Sequence, residues 1–292
     1  MEHNDGQIRA GIDAGTAHTR CVVVEWIAGR PRLRAASVVP SRGWQYGRIR
    51  NPEVVAGCIA AAAMAAGIRA GVEVKKVTAG YAEAFGQMEE LSAALELGGV
   101  EVVDYVPEAE AAMLATTSLP LREVGISTAV IGVDATEIAY IDLDGGPRSS
   151  SIQSGAYHFT EDLANLLQLP LVEAEHLKLS EGSLTHLAAV ATEAARPTPV
   201  QKILQTRAKQ FFQVLGFHLE QLSGAHRDSC GVILSGGGAI LPGLCSYAES
   251  ILKRPVRLGQ VVGVANWPLE LSSPGWTTAA GLALYGGSPH AW

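Results

Sequence analysis

The chain is poor in charge and in aromatic rings. Of its 292 residues, 17% are charged and 6% aromatic, against 48% hydrophobic. Acids outnumber bases, 29 Asp and Glu to 22 Lys and Arg, for a formal net charge of −7, which argues against a general nucleic-acid surface. No run of about twenty uninterrupted apolar residues exists, and the Ala-rich stretch at 56–67 is too short and too small-residued for a membrane span. Met1–Ala10 lacks the basic-plus-apolar pattern of a secretion signal. The four cysteines, Cys21, Cys58, Cys230 and Cys245, lack metal-type spacing and read as reduced, small core residues of a cytoplasmic protein.

What is present is a pattern that occurs twice. Ala10–Glu25 reads as strand, acid-led turn and returning strand, with Asp13 at the turn. Ala129–Ile141 has the same shape with Asp134, but its turn is read as lacking glycine entirely. Around the first hairpin, strands are expected at Ile8–Ile12, Arg20–Trp26 and Leu33–Val39. A helix follows from Asn51-Pro52-Glu53 to about Ile68, with Asn at the cap, Pro in the first turn and an early acid. Then come a strand at Val72–Thr78, a helix at Gln87–Leu97, a strand at Val100–Val106 and a helix at Glu108–Thr116. The second half restarts with the hairpin, turned at Asp144-Gly145-Gly146, and a strand at Ser149–Ser154. Helices are expected at Phe159–Leu169 and Leu171–Leu179, an irregular stretch at 182–200 and a long amphipathic helix at Val200–Leu222. Strands at Gly231–Leu234 and Val256–Leu258 and helices at Leu244–Leu252 and Ser273–Tyr285 complete it. Each half reads β-β-β-α-β-α, a long-period duplication that predicts mixed sheets with helices on both faces.

Four segments together carry a resemblance. Gly11-Ile12-Asp13-Ala14-Gly15-Thr16 resembles the first phosphate loop of the actin, DnaK and sugar-kinase ATPases. Ala70–Val77 resembles the strand after the first helix of FtsA, the bacterial actin homologue of cell division. Ser154–Ala164 with Leu171–Lys178 resembles the FtsA segment that shapes the nucleotide pocket. Gly231–Gly243 resembles the adenosine motif. The resemblance implies a two-lobed actin-like, ribonuclease H-like duplicated α/β fold, with a first domain at 1–127 and a second at 128–292. It also implies an ATP- and magnesium-binding scaffold of cell division or the cytoskeleton.

The resemblance assigns roles residue by residue. Asp13 would organise magnesium through water, since that ion keeps most of its waters. Gly15, Thr16 and Ala17 would offer backbone amides to phosphate, although by residue type alone this is equally a hairpin turn. Asp134 would be the partner carboxylate, polarising water or holding metal, with Thr136 donating a hydroxyl. Glu108 would orient water, or be a solvated first-turn acid. Gly155, Glu175 and Lys178 would contact the nucleoside, against the alternative of a surface ion pair at 175 and 178. Gly236, Gly237 and Gly238 would form a backbone platform for adenine and the α-phosphate.

The chain also departs from the FtsA pattern. The loop after Asp134 lacks the glycines that gather amides on a γ-phosphate, so at most a slow magnesium-dependent ATPase is expected. Gly80–Gly99 leaves room for one helix, so the inserted subdomain called 1C is expected to be absent. Neither a C-terminal amphipathic membrane helix after the last core helix nor another direct membrane anchor is expected. The expected partners are further copies of the chain or a divisome or pilus-type protein, with no nucleic acid. The shortness also fits a second reading, an EutJ-like or PilM-like actin-fold adaptor without nucleotide.

Overall fold

A computed structural model describes residues 6–141, 146–185, 197–224 and 231–285. Asp144 and Gly145 of the expected turn, most of the expected irregular stretch at 182–200, and Cys230 lie outside the described residues.

Apolar alternation and tight turns build one sheet in each lobe. In the first, β1 (Ile8–Ala14), β2 (His18–Ile27) and β3 (Arg30–Pro40) form an antiparallel meander, and β6 (Lys76–Tyr81) and β7 (Glu101–Pro107) add parallel strands, in the order β3-β2-β1-β6-β7. The second repeats it with β8 (Ile126–Ile131), β9 (Thr136–Ile141), β10 (Arg148–Ile152), β11 (Val232–Ser235) and β12 (Val256–Leu258), in the order β10-β9-β8-β11-β12. The predicted duplication is therefore a duplication of topology.

Helices cover the sheets where the sequence provides caps and small or apolar faces. In α1 (Pro52–Ala70), Asn51 accepts the Val54 amide at 3.1 Å, and Gly71 closes the helix at φ +71°. Val55, Ile59, Ala62 and Ala66 of α1 pack on the first sheet. By length and composition α1 is long and apolar enough to cross a membrane, and half of it is buried within the fold. In the second lobe, α7 (Pro199–Ser223) starts at a Thr198–Gln201 capping box and buries Leu204, Phe211, Phe212, Leu215 and Leu219. This face joins Tyr140, Phe159 and Leu163 in the larger core.

Two helices cross between the lobes. α3 (Glu108–Thr116) follows the first sheet and packs under β8 and β9, while α9 (Thr277–Tyr285) returns to lie on β1 and β2. They touch closely: a Cβ on Gly281 would stand 1.7 Å from the Ala111 carbonyl oxygen. The chain position 127/128 thus falls inside β8, and the last helix among the described residues serves the first sheet.

Some elements differ from the sequence-based expectation. The strand placed at 72–78 begins only at Lys76, because the Val72 amide closes α1 on the Gly67 carbonyl at 3.0 Å, and it runs on to Tyr81 to pair with β7. A small hairpin, β4 (Trp44–Gln45) and β5 (Arg48–Ile49), was not foreseen; its turn residues Tyr46 and Gly47 both have positive φ, but Tyr is not a residue that announces such a turn. A short α4 (Leu119–Val124) leads into β8. Between β6 and β7 stand one turn of 3-10 helix (Glu83–Phe85) and α2 (Met88–Leu97), the single helix expected where the 1C insertion would be. The remaining helices are α5 (Ala156–Leu167), α6 (Leu171–Glu181) and α8 (Leu244–Leu252).

Candidate functional site

The two sheets face each other across a cavity of about 520 Å³. Of the residues singled out in the sequence, Asp13, Gly15, Thr16, Ala17, Glu108, Glu175, Lys178, Gly236, Gly237 and Gly238 line it together. Asp134, Thr136 and Gly155 do not.

The first turn is built by register. The Gly15 amide bonds the His18 carbonyl at 3.2 Å, and Asp13 lies opposite Arg20 across the strands. Asp13 is buried, which pushes its carboxyl up to about 6 against the opposing pull of Arg20. Arg20 and His18 also line the cavity. The Arg20 guanidinium stacks 5.6 Å from the centre of the Trp276 ring, and its Nε is buried without a hydrogen-bond partner among the described residues. Burial, then the charge of Arg20, lowers the His18 pKa.

At the opposite end Lys178 is buried, and its ammonium donates to Glu175 Oε2 at 2.7 Å, Thr160 Oγ1 at 2.8 Å and the Ala156 carbonyl at 3.2 Å. Its three protons are thus directed at protein acceptors. Glu175, also bonded by the Thr160 hydroxyl and 45% exposed at its side chain, presents a carboxylate to the cavity. The glycines after β11 divide by role. A Cβ on Gly236 (φ +82°) would meet the Ile131 carbonyl at 2.4 Å, and one on Gly238 the Ile131 side chain at 2.5 Å. At Gly237 a Cβ would meet nothing within 4 Å.

The second turn corrects three expectations. Gly132 opens it, its amide bonding the Ala135 carbonyl at 2.8 Å, so the turn does carry one glycine. Matching the two closing bonds pairs Gly15 with Gly132, and so Ala17, not Asp13, with Asp134; the true counterparts of Asp13 and Arg20 are Val130 and Glu137, themselves cross-strand partners. Thr136 is fully buried and donates to the Ser154 carbonyl at 2.7 Å, as its counterpart Thr19 contacts the Ser41 hydroxyl at 2.8 Å. Its hydroxyl ties the hairpin to the end of the third strand and does not face the cavity. Gly155 allows close approach of chains: a Cβ there would stand 2.6 Å from the carbonyl oxygens of Gly132 and Val133.

A family model for cell division protein FtsA matches residues 127–281, more than half of the chain. The chain belongs to the FtsA family. It is 26% identical over 203 residues to FtsA of Borreliella burgdorferi, covering 64% of this chain and 49% of that protein. To FtsA of Helicobacter pylori it is 25% identical over 224 residues, covering 70% and 45%. The chain thus spans about half the length of the curated relatives it matches. Among solved structures, the ethanolamine utilization protein EutJ from Carboxydothermus hydrogenoformans superposes with a TM-score of 0.72 at 19% identity, over 96% of this chain and 90% of that one. MreB5 of Spiroplasma citri bound to ADP superposes with a TM-score of 0.68 at 17% identity, over 96% of each. These likenesses establish the actin-like fold. Within the FtsA match fall the segments at 154–178 and 231–243, while the first turn and the stretch at 70–77 lie outside it.

Sequence reasoning missed Arg20 and Glu137 in this FtsA-family chain. Both follow their turns by two residues and face the cleft, a placement available from counting register back from each tight turn. Asp134, in the turn, is raised by burial and drawn down by the Thr16 hydroxyl, the Gly47 amide and His158. Glu108 is held well above the ordinary carboxyl range by burial, then by Asp13 and Glu137.

Proposed function

We propose that the chain is an FtsA-like scaffold of bacterial cell division that binds an adenine nucleotide with magnesium in the cavity between its lobes, in the cytoplasm, and hydrolyses it slowly or not at all. The observation that carries this reading is the convergence on one cavity of the Arg20 cation, the open face of Gly237 and the Glu175–Lys178 pair. A half-buried guanidinium with a buried, unpartnered Nε is suited to an anion. The Gly15–Ala17 backbone flanks the same end, and Gly237 leaves room for a flat base beside apolar Ile240, Leu241 and Phe211. Related structures agree with this reading: MreB5 of Spiroplasma citri was solved with ADP and with AMPPNP.

Among the described residues no three acids or histidines cluster to hold a metal directly, so Asp13 would reach magnesium through water; when bound, the ion would offset phosphate charge. Slow hydrolysis would follow from the second turn, where Asp134 stands outside the main cavity and the one glycine amide is already bonded to the Ala135 carbonyl. Lobe closure around the nucleotide would then present a surface to another copy or to a protein partner. Both kinds of assembly occur among similar folds, in the MamK double helical filament and the PilM–PilN complex.

Titration calorimetry of the full chain with ATP and with ADP, magnesium present, tests this. Binding that is lost in Gly237→Leu, whose side chain would occupy the open space at that glycine, is the expected result. No heat from either nucleotide at millimolar concentration sinks the reading. It would leave the competing one, a nucleotide-free adaptor, which the poverty of glycine in turn 132–135 favours.

A further inference from the structure

Beyond the two turns lies a second, smaller space of about 80 Å³. Gly15, Thr16, Glu108, Gly132 and Val133 line both spaces and so form the wall between them. The two sides of that wall differ in charge. The main cavity holds the cations Arg20 and Lys178 beside the acids Asp13, Glu108 and Glu175, whereas Asp134 and Glu137 join Glu108 around the small chamber, which no Lys or Arg lines.

The chamber is held at this size by bonds between the lobes. The Glu137 carboxylate accepts the amides of Glu83 at 3.2 Å and Ala84 at 3.1 Å. Gln153 Nε2 donates to the Ala84 carbonyl at 2.9 Å, and the Ser149 hydroxyl donates to Glu83 at 2.9 Å. Glu137, Ser149 and Gln153 come from the second lobe and residues 83–85 from the first, so widening the chamber breaks this set. The acids already strain against their confinement: burial pushes Glu137 up to about 7, with Glu83 adding to it and the two amides opposing.

We infer that this cleft selects a nucleoside diphosphate over a triphosphate: two phosphates lie beside Arg20, and the chamber a third would enter is walled by Glu108, Asp134 and Glu137 with no cation among them. The inference rests on the nucleotide-binding reading above and names which nucleotide that site prefers. A third phosphoryl adds negative charge where three carboxylates already raise the electrostatic cost, and the bonded loop at 83–85 prevents the acids from withdrawing. The chain would then respond to the product of triphosphate hydrolysis rather than to its substrate.

The test is calorimetry of the full chain with ADP and with the β,γ-imido analogue of ATP, in metal-free buffer at pH 8. ADP is expected to bind tighter by about tenfold or more. Asp134→Asn and Glu137→Gln are each expected to tighten the analogue severalfold while ADP stays within about twofold. Circular dichroism and the retained ADP affinity confirm folding; should Glu137→Gln unfold, Asp134→Asn alone decides. The analogue binding the unmodified chain as tightly as ADP, or the variants moving both ligands alike, overturns the inference and leaves the proposed function standing. Absence of binding by either ligand overturns the inference, and the titration with magnesium present then judges the proposed function by itself.

Discussion

In the first hairpin the strands flanking the turn carry Asp13 and Arg20 opposite each other; in the second the same positions carry Val130 and Glu137. Each turn spans four residues and closes with a glycine amide on the carbonyl three residues on. Each hairpin is tied to its third strand by a buried threonine, Thr19 or Thr136. Backbone and ties were thus kept by the duplication while one cleft-facing side chain changed sign. On the proposed reading, a cation after the first turn makes a place for phosphate. A carboxylate after the second reaches across the cleft and grips the other lobe by two amides. The lesson is that duplicated backbone does not imply duplicated chemistry.

The largest expected effect comes from reversing that difference. Arg20→Gln removes the phosphate-side cation and should weaken ADP binding about tenfold to a hundredfold, the worth of a charge-assisted hydrogen bond of ~1.5–3 kcal/mol. Glu137→Gln should not weaken ADP at all. Calorimetry of the two variants side by side checks the contrast, and equal losses would mean that both residues act only by supporting the fold.

Next in size is a packing contrast. The turn alignment pairs Gly11 of β1 with Thr128 of β8. A Cβ on Gly11 would stand 2.3 Å from the Ala283 amide nitrogen and 2.5 Å from the Ala279 carbonyl oxygen, both on α9. Gly11→Ala should therefore cost about 1–3 kcal/mol or more, because helix backbone cannot move aside as a side chain can. Urea unfolding reads this directly. A loss under about 0.5 kcal/mol would show that α9 sits less firmly on β1 than the close approach indicates.

The acids give a smaller effect with a definite sign. Burial raises Asp13 to about 6 and Glu137 to about 7, above the ordinary carboxyl values they would have in the unfolded chain. The native state therefore keeps protons that the unfolded state releases. Stability from these groups is full below about pH 4, and is lost as pH rises through about 6 and 7. The melting temperature should be higher at pH 6 than at pH 8 by roughly 2–5 °C. Glu137→Gln should flatten this dependence more than Asp13→Asn, because Arg20 already favours the ionised Asp13 while no arginine or lysine enters the balance at Glu137. Thermal melts at the two pH values decide, and a melting temperature that rises with pH would contradict the account.

Much of the fold was legible because it rests on local rules. Alternating apolar strands, the Asn51-Pro52 helix start and the span Leu244–Leu252 are written in adjacent residues. So are the order of segments and the resemblance that led to FtsA. The site was legible only in part. Aligning the hairpins on their aspartates set Asp13 against Asp134, four positions off the alignment that the turns dictate. Residue identity suggested one register, while the hydrogen bond that closes each turn fixed another. Arg20 and Glu137 follow no motif; their roles come from cross-strand register and from facing the cleft, which no local pattern states. Glu137 in addition finds its amide partners 53 and 54 residues away. Gly155 and Gly236 read as ligand glycines in the sequence, yet both sit where another chain segment passes within a Cβ's reach.

The smallest effect examines the other half of the Gly11 pairing. Thr128 is fully buried on β8, and its hydroxyl oxygen has no hydrogen-bond partner among the described residues. In the first lobe the matching position has no side chain because α9 lies directly on it; in the second there is room for a β-branched residue. Thr128→Val keeps the shape and removes an unsatisfied polar atom, so it should leave stability unchanged or raise it by up to about 1 kcal/mol. Gly11→Ala and Thr128→Val thus change equivalent backbone positions with opposite or unequal outcomes. A Thr128→Val chain that loses more than about 1 kcal/mol in urea unfolding would mean that β8 depends on a polar contact at that hydroxyl. The second sheet would then be held by a bond that the first replaces with the close approach of α9, and the two lobes would differ in their cores as well as in their turns.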